Sequence, residues 1–379
     1  MAPINFELRH PPKVTFGIGT FQKLPSFTHS YSKVAFVIGS RTLSDLGVLE
    51  HILSDVHGDH HQILLPKGEP TLELVDTLTK ELTSFSPEII VAIGGGSTLD
   101  AAKASSVLMT QQGRTDVIAY LEGIGDGKAI TQSGIPLIAV PTTAGTGSEA
   151  TINSVVASPR HCVKKSLRHP HLLPNQVVID PTLQVTCGFT TTLNSGLDAI
   201  TQCFESYISC RATPHTRLLS LEGLRTGWNA ISQVLLNPDD ITARSSMAYC
   251  AYLSGVALAN GGLGVAHGLA SSLGVAAGIT HGHACAILLP FAASYNAAYC
   301  DDDYTLINQT LGISPDQGIV AAIESLTASH GITKSFLSLG ISKSDLVEVV
   351  SSSFGNSMRG NPYLPCTEEL IEALLGYYY

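Results

Sequence analysis

Residues 89–103 read IIVAIGGGSTLDAAK, and they set the fold. Ile89 to Ile93 is a short apolar run without polar alternation, the signature of a strand buried on both faces. It ends in Gly94-Gly95-Gly96-Ser97 and opens directly into the helical pattern TLDAAKASSVLM (98–109). A strand running through glycines into a helix turns bare backbone N–H groups toward the positive end of the helix dipole, where an anion can be held. The dinucleotide fingerprint G-x-G-x-x-G is not met, because Leu99 stands where the third glycine belongs. On local grounds the alternatives are a phosphate cradle and a plain tight turn.

The same texture extends on either side. KVAFVIG (33–39), HHQILLP (60–66), GIPLIAVPTT (134–143) and QVVIDPTL (176–183) read as further strands. Helical spacing lies between them, around 43–54 and over TLELVDTLTKELTSF (71–85). Strands alternating with helices predict an α/β domain, Rossmann-like, with a parallel sheet covered on both faces. From about residue 190 long helical patterns take over, as in NSGLDAITQCFESYIS (194–209), and no later strand is expected. The expected organisation is an α/β dinucleotide-binding domain over 1–185 and an all-helical domain over 186–379.

Bulk properties exclude several function classes. The 379 residues carry a formal net charge of −10, which disfavours nucleic acid and anionic membranes as partners. Hydrophobic residues make up 44% against 14% charged, the balance of a core-rich globular chain. The eight cysteines contain no CxxC pair and read as reduced, buried thiols. The opening MAPINFELRHPPKVTFG has charges and prolines where an export signal needs an apolar centre, so a cytoplasmic location is expected. Between Arg244 and Asp301 there is no Asp, Glu, Lys or Arg. Glycines, serines, Asn260 and three histidines break that run, which therefore predicts buried helices and not membrane spans.

Three further stretches bear chemistry. PTTAGTGSEAT (141–151) crowds Thr142, Thr143, Thr146 and Ser148 into a turn after a strand, either to wrap a ribose or pyrophosphate or simply to cap the next element. Two such loops at the ends of parallel strands share the sheet edge where α/β proteins bind nucleotides. On a helix, Asp198 and Gln202 share a face, though Asp198 alone also suits a helix N-terminus. His267, His281 and His283 lie in the uncharged run as core residues or as metal ligands. Asp198, His267 and His281 together would supply three protein ligands and leave a position open, with low-dielectric walls around the ion.

In this order the pieces resemble the iron-containing (group III) alcohol dehydrogenases, from VTFGIGTFQKL (14–24) to NPYLPCTEELIEALL (361–375). GGGSTLDAAK and PTTAGTGSEAT are similar to the two cofactor signatures of that family. The resemblance implies a dehydroquinate-synthase-like fold and a divalent metal, iron or zinc, between a nucleotide-binding domain and a helical domain. It implies NAD(P)-dependent alcohol oxidation or carbonyl reduction by hydride transfer, in a homodimer or larger assembly. Carried over, Gly95, Gly96, Ser97 and Asp100 would hold the pyrophosphate and nicotinamide side. Thr142, Thr143, Thr146, Asn153 and Lys164 fall at further cofactor contacts, and Asp198, His267 and His281 at metal ligands.

Two positions depart from the family pattern. Gln202 stands where a metal-binding His is usual, and Ser271 where a proton-handling His is usual, close to the nicotinamide. A Gln carbonyl is a weak ligand for a metal that favours imidazole. His267 and Ser271 are thus the candidate catalytic pair, and His283 is expected to be structural. At the corner after the first strand, Ile38-Gly39-Ser40-Arg41 has no carboxylate for a ribose 2′-hydroxyl. Gly39, Ser40 and Arg41 therefore point to NADP(H) in preference to NAD(H). The uncharged run suits a small alcohol, aldehyde or ketone without a fixed charge. The competing functions are a metal-independent reductase of the maleylacetate-reductase type and a nucleotide-binding protein that has lost catalysis. A phosphate-eliminating lyase on the same fold would need basic residues that 245–300 does not contain.

Overall fold

The computed structural model describes residues 5–39, 47–113, 116–161 and 163–379. They form two compact units. One takes His10–Cys187 with Asp239–Ala248; the other takes Gly188–Pro238 and Tyr249–Tyr379, with the described residues before His10.

The first unit is built on a parallel sheet. Its strands are β1 (Val14–Phe16), β2 (Lys33–Ile38), β3 (Asp59–Leu64), β4 (Ile89–Gly94), β5 (Leu137–Pro141) and β8 (Gln176–Ile179), in the order β1-β8-β5-β4-β2-β3. Side chains alternate across each strand, so one apolar run fills two cores. Ala35, Val37, Ile90 and Ala92 pack with the helices Leu72–Phe85 and Gly96–Leu108. Val34, Phe36, Ile38, Val91 and Ile93 pack on the other face with Leu49, Ile52 and Leu53 of the helix Val48–Ser54. Near-continuous hydrophobicity is thus the consequence of burial on both sides.

The strand order has a physical consequence for binding. From β2 the chain moves outward to β3, then returns to β4 on the other side of β2 and proceeds to β5 and β8. The direction reverses between β2 and β4, and outside the carboxyl ends of such a neighbouring pair an open α/β sheet offers a crevice. Gly39 follows β2 at this point, and its N–H donates to the Ile93 carbonyl at 2.9 Å.

Two elements were not legible beforehand. β1 is three residues long and joins the sheet by pairing with β8. β6 (Asn153–Ser158) and β7 (Val163–Arg168) form a separate antiparallel hairpin, in a stretch for which the sequence predicted no strand. Its polar residues disguise it, because just Val156 and Leu167 reach the core. What secures it is a fully buried cation, Lys103. The Lys103 ammonium donates to the Ser148 carbonyl at 2.8 Å, Thr151 Oγ1 at 2.9 Å and the Asn153 carbonyl at 2.5 Å. Asp100, one turn earlier, lies 3.7 Å from it and accepts from the Ser148 hydroxyl and the Val155 N–H. Burial lowers the Lys103 pKa to about 8 and raises that of the buried Glu149 nearby to about 7.

In the second unit every regular element among the described residues is helical. Phe189–Ile208, Pro214–Leu236, Val265–Ala277 and His281–Asn296 carry most of its core. Thr213 and Thr216 form a reciprocal capping box, with Pro214 at the first helical position. No described helix is long and apolar enough to cross a membrane, in accord with the reading of residues 245–300 as buried. Seven cysteines are free thiols among the described residues; the expectation of general burial fails at Cys210 and Cys366, which are exposed.

Replacing Lys103 by Met leaves the largely buried Asp100 without its cation and should cost roughly 3–5 kcal/mol in chemical denaturation. Glu149 gives a pH signature. Its folded pKa of about 7 lies above the usual 4.5, so its contribution is present below the lower value and lost as pH rises through the higher. The stability of Glu149→Gln relative to the native chain should therefore increase between pH 4.5 and pH 7, read as the shift in denaturation midpoint.

Candidate functional site

The glycine loop and the threonine loop meet in the first unit. The Thr142 N–H donates to the Gly94 carbonyl at 2.9 Å, carrying the β4–β5 ladder past the strand ends. A Cβ on Gly96 would lie 2.5 Å from Thr146 Oγ1, and one on Gly39 only 1.7 Å from Thr98 Oγ1. A side chain at Gly96 would push the two loops apart and one at Gly39 would meet the first turn of the Gly96–Leu108 helix, so glycine at both serves close packing. Gly95 is the N-cap of the Gly96–Leu108 helix, and the amides of Gly96 and Ser97 open its first turn.

The remaining candidates divide by what already occupies them. Both carboxylate oxygens of Asp100 are engaged within the protein, with Ser148 and Val155. Lys164 pairs with Glu69 at 3.0 Å. Asn153 is different: its Oδ1 is buried and has no hydrogen-bond partner. A buried acceptor left unmet within the protein fits a bound molecule with a hydroxyl or amide donor. Thr143 packs against Gly95. Ser40 and Arg41 lie outside the described residues.

In the second unit His267 is held by a residue not singled out from sequence, Glu205. It lies seven residues after Asp198, two turns along the same helix face, and its side chain is fully buried. Glu205 Oε1 accepts from the Ala266 N–H at 2.6 Å, and Oε2 from His267 Nδ1 at 2.7 Å. The carboxylate thus caps the N-terminus of the Val265–Ala277 helix, where the helix dipole favours negative charge. Gly264 makes this possible, since a Cβ there would sit 2.8 Å from Glu205 Oε1 and from Asn361 Oδ1. With Nδ1 on Glu205, the Nε2 of His267 faces Asp198 Oδ1 at 3.2 Å.

His281 opens the next helix, capped by Thr280, and its ring centre is 5.6 Å from that of His267. Asp198, His267, His281 and Cys285 offer donor atoms that all lie within 4.8 Å of one another. Burial pushes the Asp198 pKa up, but the hydrogen bond from His267 and the charges of both imidazoles outweigh it and hold it below the usual range. Burial works against charge on His267 as well, yet Cys285, Asp198 and Glu205 together raise its pKa well above normal. Burial also pushes the Cys285 thiol up to about 12. A carboxylate, two imidazoles and a thiol, one imidazole oriented by an outer carboxylate, fit a divalent transition metal. Gln202 is buried, but its Oε1 accepts from the Ser254 hydroxyl at 2.6 Å. Ser271 is half-buried, as is His283, whose pKa burial lowers.

Comparison with known families agrees with both halves. Residues 11–181 match the family model "Iron-containing alcohol dehydrogenase", and residues 192–379 match "Fe-containing alcohol dehydrogenase family, C-terminal". The chain belongs to the iron-containing alcohol dehydrogenase family. It is 30% identical over 350 residues to long-chain-alcohol dehydrogenase 1 of Geobacillus thermodenitrificans, covering 89% of this chain and 87% of that one. It is 25% identical over 379 residues to the NAD-dependent methanol dehydrogenase of Bacillus methanolicus, covering 96% and 97%. Among solved structures, a 1,3-propanediol oxidoreductase superposes with a TM-score of 0.91 at 25% identity, over 99% of this chain and 100% of that one. The protein is an oxidoreductase acting on alcohols, of a family that uses a nicotinamide dinucleotide and a divalent metal.

The dehydrogenase thus contains functional candidates that its motifs did not announce. Glu205 carried a signal, its spacing from Asp198 and Gln202. Cys285 carried a weaker one, the four-residue step from His281 that puts both on one helix face. Lys103 and Glu149 sit inside the recognised signatures, but nothing in the sequence separates a buried charge from a solvated one. Substituting Glu205→Gln keeps an acceptor for the Ala266 amide and removes the charge behind His267. Zinc affinity, measured by competition with a chromophoric chelator, should fall about 10- to 100-fold.

Proposed function

We propose that this alcohol dehydrogenase interconverts uncharged alcohols with aldehydes or ketones, with Asp198, His267 and His281 holding its metal and the Gly95–Ser97 turn holding the dinucleotide pyrophosphate. The observation that carries the reading is the convergence of Asp198, His267 and His281, with the second nitrogen of His267 committed to Glu205. A divalent ion held there supplies Lewis acidity toward the substrate oxygen. Everything else falls to the chain. The amides of Gly96 and Ser97 meet phosphate at a helix N-terminus. Thr142, Thr143 and Thr146 shape the facing wall, and Asn153 Oδ1 accepts from the cofactor, which supplies the donor it lacks.

Proton handling is assigned to Ser271, one turn after His267 on the same helix. A hydroxyl passes a proton on without holding charge, so exchange with solvent runs through relay and not through storage on an imidazole. Residues 245–300 contain no Asp, Glu, Lys or Arg to pair with a charged substrate, which supports small uncharged alcohols and carbonyls. NADP(H) is the proposed preference, supported by the missing carboxylate at residues 38–41 and by the guanidinium of Arg41. The methanol dehydrogenase it resembles is named for NAD, which makes this preference a property to test in this chain.

Metal analysis and turnover are measured together. The purified protein should carry on the order of one zinc or iron per chain, lose aldehyde reduction on chelation and regain it with metal. NADPH should give a higher kcat/KM than NADH, and Arg41→Ala should reverse that order. Turnover that survives chelation overturns the metal assignment in favour of a metal-independent reductase.

A further inference from the structure

Cys285 changes the nature of the proposed centre. It is fully buried, one turn beyond His281 on the same helix, and its Sγ lies 3.6 Å from His281 Nε2. A zinc ion at its usual bond lengths holds adjacent donor atoms about 3.3–3.7 Å apart. The His281–Cys285 pair meets that spacing, and the 3.2 Å between His267 Nε2 and Asp198 Oδ1 comes close to it. These two pairs make opposite edges of one four-donor set, contributed by three helices. Gln202, the family's fourth position, instead accepts from the buried Ser254 hydroxyl.

We propose that Cys285, bound as a thiolate, is the fourth protein ligand of this centre in place of residue 202, and that it makes the site selective for zinc over iron. On loading, the sulfur–metal bond forms as the S–H proton leaves to solvent, the ordinary course of thiol coordination. Asp198 and Cys285 then contribute two negative charges that balance a divalent ion, where one carboxylate and three imidazoles would leave a net charge of +1. A soft thiolate tilts a site toward zinc, whereas imidazole and carboxylate donors alone hold zinc and iron(II) alike. The proposal rests on the reading of this cluster as a metal centre.

The test uses cobalt(II) as a spectroscopic stand-in for zinc in the full-length, metal-stripped protein. The native chain should bind cobalt with d–d bands and an intense near-ultraviolet thiolate-to-cobalt charge-transfer band. Cys285→Ser should retain the d–d bands and lose the charge transfer, and Gln202→Ala should retain both. Competition between zinc and iron(II) should show the zinc preference dropping at least about tenfold in Cys285→Ser, the lower end of what even an outer-shell change costs. Native protein with d–d bands but no charge-transfer band overturns the thiolate ligand and leaves the metal reading standing. Native protein that takes up no cobalt overturns both. The native spectrum decides between these even if the variants fail to fold.

Discussion

A single buried carboxylate, Glu205, organises the helical half of this dehydrogenase. It accepts from two backbone amides at the start of the Val265–Ala277 helix and from the His267 ring. A charge with no solvent contact is costly unless hydrogen bonds compensate it, and three donors together with a helix dipole do so. The same bonds fix which nitrogen of His267 faces Asp198. Helix position and ligand orientation are therefore one interaction, and Gly264 is the small residue that allows it.

The sheet half solves an analogous problem with the opposite sign. Lys103 brings an ammonium into a fully buried position, and the hairpin β6–β7 and the threonine loop close around it with carbonyl and hydroxyl acceptors. Asp100 completes the arrangement from the same helix. The helix whose N-terminus faces the proposed pyrophosphate site is thus tied to the hairpin that carries Asn153 and Lys164. Two of the signature residues, Asp100 and Lys103, act as fasteners beneath the site. The glycines above them act through their lack of bulk.

The departure at residue 202 has a counterpart elsewhere in the cluster. Gln202 is directed to Ser254, and a sulfur reaches the cluster from the neighbouring turn of another helix. A fourth donor is thus available from a different element. In the proposed ligand set, a thiolate in place of one imidazole would keep four donors and alter the charge and softness of the centre.

Sequence alone determined the class of fold and the identity of most of the chemistry. Apolar runs at strand length, separated by helical periodicity, admit few arrangements other than a doubly covered parallel sheet, and the glycine and threonine loops must then fall at its edge. The hairpin β6–β7 and the strand β1 stayed hidden because their stability comes from pairing and from a distant lysine, and local propensity does not report either. Asp198, His267 and His281 were visible as residue types. That Glu205 and Cys285 join them was decided by tertiary structure, because helix packing brings together positions as far apart as Asp198 and Cys285. Burial, too, belongs to the fold. Nothing in the letters distinguishes Glu205 and Lys103 from surface charges, yet desolvation and the donors gathered around them are what give both their roles.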